Sequence, residues 1–168
     1  MQNSLILASG SPRRRELLSL MGITYQICPT DVDEHMTGAP DEVVMALSRR
    51  KALAVAERHS GCTVLGADTL VACRGEIMGK PQDQQDAMRM LMLLSGGENN
   101  VYTGVTVIDG KTGRVDTRCD QTRVHFVPIT PEAAQRYIDS GEPMDKAGAY
   151  GAQGMGGMFV SAIEGSPS

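Results

Sequence analysis

Short apolar runs and longer stretches of helical spacing alternate in the first part of the chain. The run at residues 5–8 predicts a short buried strand. Ser11 suits the N-cap position and Pro12 the first helical position, so they predict a helix that continues to about Met21, just before a glycine. Residues 24–28 then predict a second strand.

The middle of the chain predicts a long helix followed by a turn between two strands. Pro40 is followed by two acidic residues, and this start predicts an amphipathic helix that ends near His59. Residues 63–73 are rich in β-forming side chains and predict a central strand, which we expect to be interrupted at its Gly-Ala-Asp-Thr sequence, residues 66–69. Arg74 and the glycine after it predict a turn back into another strand segment.

The second half of the chain predicts two helices separated by a long hairpin. Asp83 predicts the N-cap of a helix rich in methionine and leucine, which should stop at a pair of glycines. Residues 99–109 and 114–127 predict two strands joined by the turn Asp-Gly-Lys-Thr-Gly. Thr130, followed by proline and glutamate, predicts a short helix that ends at Gly141.

The last segment, residues 142–160, contains five glycines, and we assign it no regular element. Elsewhere strands and helices alternate, and we find no internal repeat, linker or low-complexity tail. This pattern predicts one α/β domain with a mixed sheet over residues 1–168. The methionines invite a metal-site or binding-groove interpretation, but at helical spacing, as at residues 88–92, we expect them in the core.

Composition and charge narrow the class of protein. A length of 168 residues fits one domain, and a net charge of −4 argues against a protein whose whole surface binds nucleic acid or an anionic membrane, while it leaves room for a local basic site. The four cysteines are scattered, which favours reduced thiols over a zinc site or a disulfide framework. We find no signal peptide and no apolar run of the roughly 20 residues that span a bilayer, so we expect a cytoplasmic protein.

The densest positive charge lies at the start of the first predicted helix. A Ser-Gly-Ser-Pro turn follows the first strand, and Arg13, Arg14 and Arg15 come directly after it. Free backbone N–H groups and the positive end of a helix dipole favour phosphate at such a turn. A solvated basic face is the other interpretation, and the turn alone does not decide between the two.

Asp68 stands out because aspartate is a poor strand residue and yet lies within an otherwise apolar run, residues 64–71. It is either a hydrogen-bonded carboxylate at a turn or edge, or a metal ligand or general base at the mouth of a sheet. We favour the second interpretation, because a buried unpaired carboxylate is costly to keep. Glu34, in an acidic loop, offers a further oxygen ligand, and Mg²⁺ typically takes one or two carboxylates with substrate phosphates and water.

Seven segments occur in a fixed order: LASGSPRRRELL, DVDE, RRKA, LGADTLV, GKP, LSGGENNVYTGV and SGEPMDKAGAYGAQG. Together they resemble the Maf family of nucleoside triphosphate pyrophosphatases over nearly the whole chain, residues 5–165. The resemblance implies an α/β fold like that of the inosine triphosphate pyrophosphatases (Ham1-like), in which a single domain wraps a mixed, twisted sheet around a nucleotide cleft. It also implies hydrolysis of a nucleotide to its monophosphate and pyrophosphate, dependent on Mg²⁺ or Mn²⁺.

The resemblance further implies roles for individual residues. Asp68 matches the family's proton acceptor, and the metal ion would lie on Glu34 and Asp68. Arg13, Thr69 and Gln153 match the positions that mark the branch cleaving dTTP and UTP, as opposed to the branch that prefers 7-methyl-GTP. Further polar active-site positions are matched by Ser9, Arg14, Glu34, Lys51 and Lys80.

The chain departs from the family pattern at two places. Asn99 stands where the family usually has histidine. The sequence ends with Ile-Glu-Gly-Ser-Pro-Ser where the family continues, so we expect a domain without the family's terminal strand and closing helix.

The alternative function is a nucleotide-binding regulator of cell division or septum formation with little catalysis. Formation of a homodimer is left open.

Overall fold

The computed structural model describes residues 4–165, and that part of the chain contains four α-helices and seven strands. The helices are α1 (Pro12–Leu20), α2 (Pro40–Ala56), α3 (Gln84–Leu94) and α4 (Pro131–Asp139). The strands are β1 (Leu5–Leu7), β2 (Gln26–Ile27), β3 (Thr63–Cys73), β4 (Glu76–Met78), β5 (Glu98–Asp109), β6 (Val115–Phe126) and β7 (Val160–Glu164). Three short 3-10 helices cover Glu142–Asp145, Ala147–Ala149 and Met155–Phe159.

The seven strands form one mixed sheet. Their order is β2-β1-β3-β5-β6-β7, and β4 pairs with β3. β1 runs parallel to both of its neighbours, with Ile6 opposite Gln26 on one side and Val64 on the other. β4 pairs antiparallel with β3, and β7 pairs antiparallel with β6. The α/β class with a mixed sheet is therefore confirmed.

The chain divides into two compact units. The first contains the residues through Asp68 together with Thr103–Cys119, and the second contains Thr69–Tyr102 together with the residues from Asp120 onward. The long strands β3, β5 and β6 contribute residues to both units. The expectation that the chain forms a single domain stays a prediction.

In the first unit, glycines in two strands allow α2 to lie close to the sheet. A side-chain carbon at Gly66 of β3 would come within 2.5 Å of the carbonyl oxygen of Ser48, and one at Gly104 of β5 would overlap the backbone of Val44. The hydroxyls of Ser48 and Thr106 lie 2.7 Å apart and are both buried. Only glycine permits this approach, which fixes where the side chains of α2 meet β3.

The second unit is built around aromatic side chains. The rings of Phe126 and Tyr150 meet edge to face with centroids 4.7 Å apart, and those of Tyr137 and Phe159 do so at 5.5 Å. Asn99 is completely buried, and its Oδ1 accepts a 2.8 Å hydrogen bond from the Tyr150 hydroxyl. The asparagine that departs from the family pattern is thus a hydrogen-bonded core residue.

The helix starts and the tight turn follow the sequence expectations. The side chains of Ser11, Asp83 and Thr130 each accept a hydrogen bond from a backbone N–H in the first turn of the helix that follows. Arg74 and Gly75, with φ of 50° and 80°, form the turn between β3 and β4. These four predictions are confirmed.

Other boundaries differ from the predictions. β3 continues through residues 66–69, so the predicted interruption is wrong: this stretch remains in the strand, and Gly66 lies against α2. α2 ends at Ala56 rather than near His59, and β2 is limited to Gln26–Ile27. The glycine-rich end of the chain, to which the sequence assigns no element, contains three 3-10 helices and leads into β7, which pairs with β6.

The methionine expectation is confirmed at Met90, which is 3% exposed, with Met88 and Met92 packed against the same core. Within residues 4–165 no helix has both the length and the apolar character needed to cross a membrane. The expectation about the end of the chain falls partly on residues 166–168, which lie outside the described residues.

Candidate active site

Asp68 is a buried carboxylate in the middle of β3. The residue is 7% exposed, and its Oδ1 accepts a 2.7 Å hydrogen bond from Nζ of Lys51. Its Oδ2 is buried and has no hydrogen-bond partner among residues 4–165. Asp68 lies within the strand and not at a turn, and its carboxylate is hydrogen-bonded through one of its two oxygens. Such a half-satisfied buried carboxylate is costly to the fold.

The local sequence explains why a lysine meets Asp68. Residues two apart on a strand share a face, so Gly66 and Asp68 both point to the side of β3 that α2 covers. Ser48 and Ala52 of α2 lie against Gly66, and Lys51, three residues after Ser48, shares their helix face. A glycine inside a strand is the sequence signal for such a close approach, but sequence analysis did not select Gly66.

Lys51 joins two carboxylates. Its Nζ lies 2.7 Å from Oδ1 of Asp68 and 2.9 Å from Oε1 of Glu34. The lysine side chain is only 13% exposed, whereas that of Glu34 is 59% exposed. The structure therefore brings together three of the sequence-selected residues, with one carboxylate inside the protein and the other facing solvent.

Ser9 and Arg14 lie at the turn between β1 and α1. Oγ of Ser9 accepts hydrogen bonds from Nη1 of Arg14 at 3.1 Å and from the backbone N–H of Ser11 at 3.2 Å. The Arg14 side chain is half-buried, and this burial lowers its pKa. The negative charges of Asp68 and Glu34 act in the opposite direction and favour its cationic form. Arg14 is therefore a partly buried, hydrogen-bonded arginine, and its assignment to an anion site stays a prediction. We call Ser9, Arg14, Glu34, Lys51 and Asp68 the charged cluster.

Arg13 behaves differently from its neighbour. It forms a 3.3 Å ion pair with Glu16 one helical turn away, and its side chain is 34% exposed. Its Nε is buried and has no hydrogen-bond partner within the described part of the chain. The structure thus records a helix-surface contact for Arg13, and its assignment to the substrate stays a prediction.

Burial dominates the electrostatics of Asp68. It raises the pKa of Asp68 above the ordinary aspartate value, against the opposing charge and hydrogen bond of Lys51. The Glu34 carboxylate raises the pKa further, and Arg14 lowers it. A carboxylate with a raised pKa accepts a proton more readily than an ordinary aspartate, which is the property that a general base needs.

Three further sequence-selected residues belong to the second unit. Thr69 is half-buried in β3, and Lys80 is exposed just after β4. The carbonyl of Gly79, next to Lys80, accepts a 3.0 Å hydrogen bond from the N–H of Gly148. Gln153 is exposed and lies in the glycine-rich stretch before the last 3-10 helix.

Sequence analysis did not select Glu142, which contacts that glycine-rich stretch. Its Oε1 accepts a 3.0 Å hydrogen bond from the N–H of Met155, and its Oε2 accepts one of 3.1 Å from the N–H of Gly156. The pattern Gly-Glu-Pro contains a glutamate next to a helix-breaking residue, but nothing in it indicates a partner about a dozen residues further along the chain.

The charged cluster contains two carboxylates, which are ligands of the type that a hard divalent cation takes. Within the described residues 4–165, no group of three or more histidines, cysteines or acidic residues is placed to hold a metal ion. Glu34 and Asp68 nevertheless lie on the same ammonium, and Oδ2 of Asp68 has no hydrogen-bond partner among the described residues. Two carboxylates suffice for Mg²⁺, which keeps several waters and takes its remaining oxygens from substrate phosphates.

Comparison with known proteins assigns the chain to one family. The model of Maf-like proteins matches residues 4–168. This chain belongs to the Maf family. It is 47% identical over 163 residues to a dTTP/UTP pyrophosphatase of Bacillus cereus, covering 96% of this chain and 84% of that protein.

Another dTTP/UTP pyrophosphatase, from Bacillus thuringiensis subsp. konkukian, is 46% identical over the same shares of the two chains. Among solved structures, the Staphylococcus aureus Ham1 protein is similar with a TM-score of 0.49 at 15% identity, covering 77% of this chain and 73% of that one.

Proposed function

We propose that this chain is a nucleoside triphosphate pyrophosphatase that hydrolyses dTTP and UTP to the monophosphate and pyrophosphate. The observation that carries the proposal is Asp68, a buried carboxylate with one oxygen on Lys51 and the other without a partner in the described part of the chain. The Bacillus relatives named dTTP/UTP pyrophosphatase, at 47% and 46% identity over nearly the whole chain, support the choice of substrates.

In the proposed reaction, water attacks the α-phosphorus of the nucleotide and the Asp68 carboxylate takes the proton. A bond forms between the water oxygen and the α-phosphorus, and the bond from the α-phosphorus to the bridging oxygen breaks. The electron pair of that bond leaves with pyrophosphate. The raised pKa of Asp68 suits this role, and Lys51 keeps the carboxylate ionised until the proton arrives.

The phosphates of the substrate require cations and N–H donors. In the first unit, Arg14 and Lys51 supply cations that are already desolvated, so their charge-assisted hydrogen bonds to phosphate oxygens are strong. The turn at Ser9 and the N-terminus of α1 add backbone N–H groups and the positive end of the helix dipole. Arg13 is proposed as a further substrate contact, and the assignment of Thr69 and Lys80 to the substrate stays a prediction.

A divalent cation, Mg²⁺ or Mn²⁺, is proposed as the cofactor, with Glu34 and Asp68 as the residues that would hold it. When bound it supplies positive charge that stabilises the phosphoryl oxygens as negative charge develops on them. Activity should disappear in excess chelator and return when Mg²⁺ is added back. Full turnover in excess chelator would contradict this assignment.

Gln153 is proposed to select the base. Uracil and thymine share an N3–H donor between two carbonyl acceptors, and a glutamine amide offers an acceptor and donors that match two of these atoms. Cytosine presents an acceptor at N3 and a donor at N4, so a glutamine held in one orientation is mismatched with it. Two-point base contacts are worth about 1–3 kcal/mol, so we expect roughly a ten- to hundredfold preference for UTP and dTTP over CTP.

The test is pyrophosphate release measured with UTP, dTTP, CTP, GTP and 7-methyl-GTP under identical conditions with Mg²⁺. Turnover of UTP and dTTP well above that of the other nucleotides is the expected result. Faster turnover of GTP or 7-methyl-GTP would contradict both the branch and the role of Gln153. Tight binding of UTP without release of pyrophosphate would instead favour a nucleotide-binding regulator. A cytoplasmic location and a homodimer stay predictions.

A further inference from the structure

The stretch that carries Gln153 is tied to the second unit at both of its ends. The N–H of Gly151 donates a 3.2 Å hydrogen bond to the hydroxyl of Tyr137. The N–H groups of Met155 and Gly156 donate to the two carboxylate oxygens of Glu142, at 3.0 and 3.1 Å. Gln153 lies in the middle of this span, residues 151–156, which we call the glutamine loop.

The two anchors are themselves connected. Tyr137 is completely buried, with its ring edge to face on Phe159, and its hydroxyl also hydrogen-bonds to Glu142. Burial opposes ionisation of Glu142, but the Tyr137 hydroxyl and the N–H groups of Gly156 and Met155 outweigh it and lower the pKa of Glu142. Glu142 is therefore a stable anion whose acceptors are turned toward the glutamine loop.

The glycines of the glutamine loop make room for these anchors. A side-chain carbon at Gly154 would overlap the Glu142 carboxylate, and one at Gly156 would come within 2.6 Å of the Tyr137 hydroxyl. One at Gly151 would lie 2.8 Å from Cε of Lys146. From sequence alone, these glycines suggest an approach of the backbone to a ligand. The structure adds a different reason for them, namely close contact with side chains of the same unit.

We propose that Glu142 is a positioning residue for base selection, because it fixes the backbone from which Gln153 meets the pyrimidine. This inference rests on the proposed function. A glutamine amide discriminates uracil from cytosine only if it is held in one orientation, since a rotated amide presents its donors and acceptor in exchanged places. Gln153 is exposed and lies between the two anchors, which fix the backbone that carries its side chain.

The experiment compares Glu142→Gln with the parent protein, using the ratio of kcat/KM for UTP to kcat/KM for CTP. Glutamine keeps the size of the side chain but replaces one acceptor oxygen with an N–H donor, so one of the two loop N–H groups loses its partner. We expect the ratio to fall about tenfold, and a tenfold loss is the lower end of the preference that a two-point base contact supplies. The kcat for UTP should change by less than about threefold. Glu132→Gln, on the exposed first turn of α4, is the matched control and should leave the ratio unchanged.

A double variant separates positioning from loss of stability. If Glu142 acts through Gln153, Gln153→Ala should lower the ratio by itself, and adding Glu142→Gln should lower it no further. Tyr137→Phe, which removes the other anchor but keeps the ring in the core, should lower the ratio in the same direction. It keeps the inference testable if Glu142→Gln does not fold.

An unchanged ratio in a folded Glu142→Gln protein would overturn the inference. Equal losses of UTP and CTP turnover, accompanied by a lower melting temperature, would overturn it as well, because they indicate a purely structural role. A parent protein with no preference for UTP over CTP would contradict the proposed function instead, and that result is read from the parent alone.

Discussion

Asp68 and Glu142 are two carboxylates that the fold treats in opposite ways. Asp68 has one hydrogen-bonded oxygen and one buried oxygen without a partner among residues 4–165, and burial raises its pKa. Glu142 receives hydrogen bonds on both oxygens, and these lower its pKa although burial acts against them. The decisive difference is the number of donors that each unit of the protein supplies to its carboxylate.

This difference separates a group available for chemistry from a group committed to structure. A carboxylate whose acceptors are all occupied by donors gains nothing from a proton or a metal ion. One that is buried with an oxygen left over can accept either. The account therefore predicts that substitutions at Asp68 act on rate and that substitutions at Glu142 act on selectivity and on stability.

The largest effect is expected from Asp68→Asn. Loss of a general base typically lowers the rate about 10²- to 10⁴-fold, so release of pyrophosphate from UTP should fall within that range. The pKa of Asp68 is higher in the folded protein than in the unfolded chain, so the protonated carboxyl group stabilises the fold at low pH. That stability is lost as pH rises through the folded-state pKa, and at neutral pH the ionised carboxylate therefore disfavours the fold. The melting temperature of Asp68→Asn should accordingly equal or exceed that of the parent.

The control for this variant is Asp116→Asn, which removes an exposed carboxylate from β6 in the same unit. It should change neither the rate nor the melting temperature. If Asp68→Asn keeps near-parental turnover, Asp68 is not the base. If it loses activity only because it unfolds, the assignment of a poised carboxylate fails as well.

A smaller effect is expected from Lys51→Met on the pH dependence of the rate. Lys51 is the main neighbour that opposes the raised pKa of Asp68, so its removal should raise that pKa further. Because the base must be ionised, the acidic limb of the profile of kcat against pH should move to higher pH. Lys111→Met, in the exposed turn between β5 and β6, should leave the limb in place. A limb that moves to lower pH would contradict the pairing.

The smallest effect is expected from Glu142→Gln on stability. The pKa of Glu142 is lower in the folded protein than in the unfolded chain. The ionised carboxylate therefore stabilises the fold above the pKa of the unfolded chain, and this stability is lost as pH falls through the pKa of the folded protein. At neutral pH the variant should lose about 1 kcal/mol, or about 2–4 °C in melting temperature, because hydrogen bonds to a partly exposed charge contribute modestly. In strongly acidic buffer the two proteins should melt together. A difference that persists there would show that the charge of Glu142 is not responsible.

The sequence predicts much of the fold because its signals are local. The caps at Ser11, Asp83 and Thr130 and the turn at Arg74 each depend on a few adjacent residues, and all four are confirmed. Asp68 was selected because a charged residue in an apolar strand is conspicuous by itself. Its burial agrees with that selection, while its role in catalysis stays a prediction.

Features that depend on tertiary contacts were not predicted. Asp68 stays within an unbroken β3, and Gly66 of the same strand lies directly against α2 across a long stretch of sequence. β7 forms where the glycine-rich end of the chain meets β6. The contacts of Glu142 could not be predicted either, because its partners are backbone N–H groups and no pattern of side chains indicates them. An unusual residue is visible in the sequence, whereas the donors that surround it in the fold are not.

Titration of the two carboxyl groups shows whether the fold tunes them in opposite directions. Carbon-13 NMR of the side-chain carboxyl groups, recorded on metal-free protein from acidic to neutral pH, follows each residue separately, with Asp68→Asn and Glu142→Gln providing the assignments. We predict that Asp68 titrates above the ordinary aspartate value of about 3.9 and Glu142 below the ordinary glutamate value of about 4.3. Titration of Asp68 below Glu142 would contradict the account.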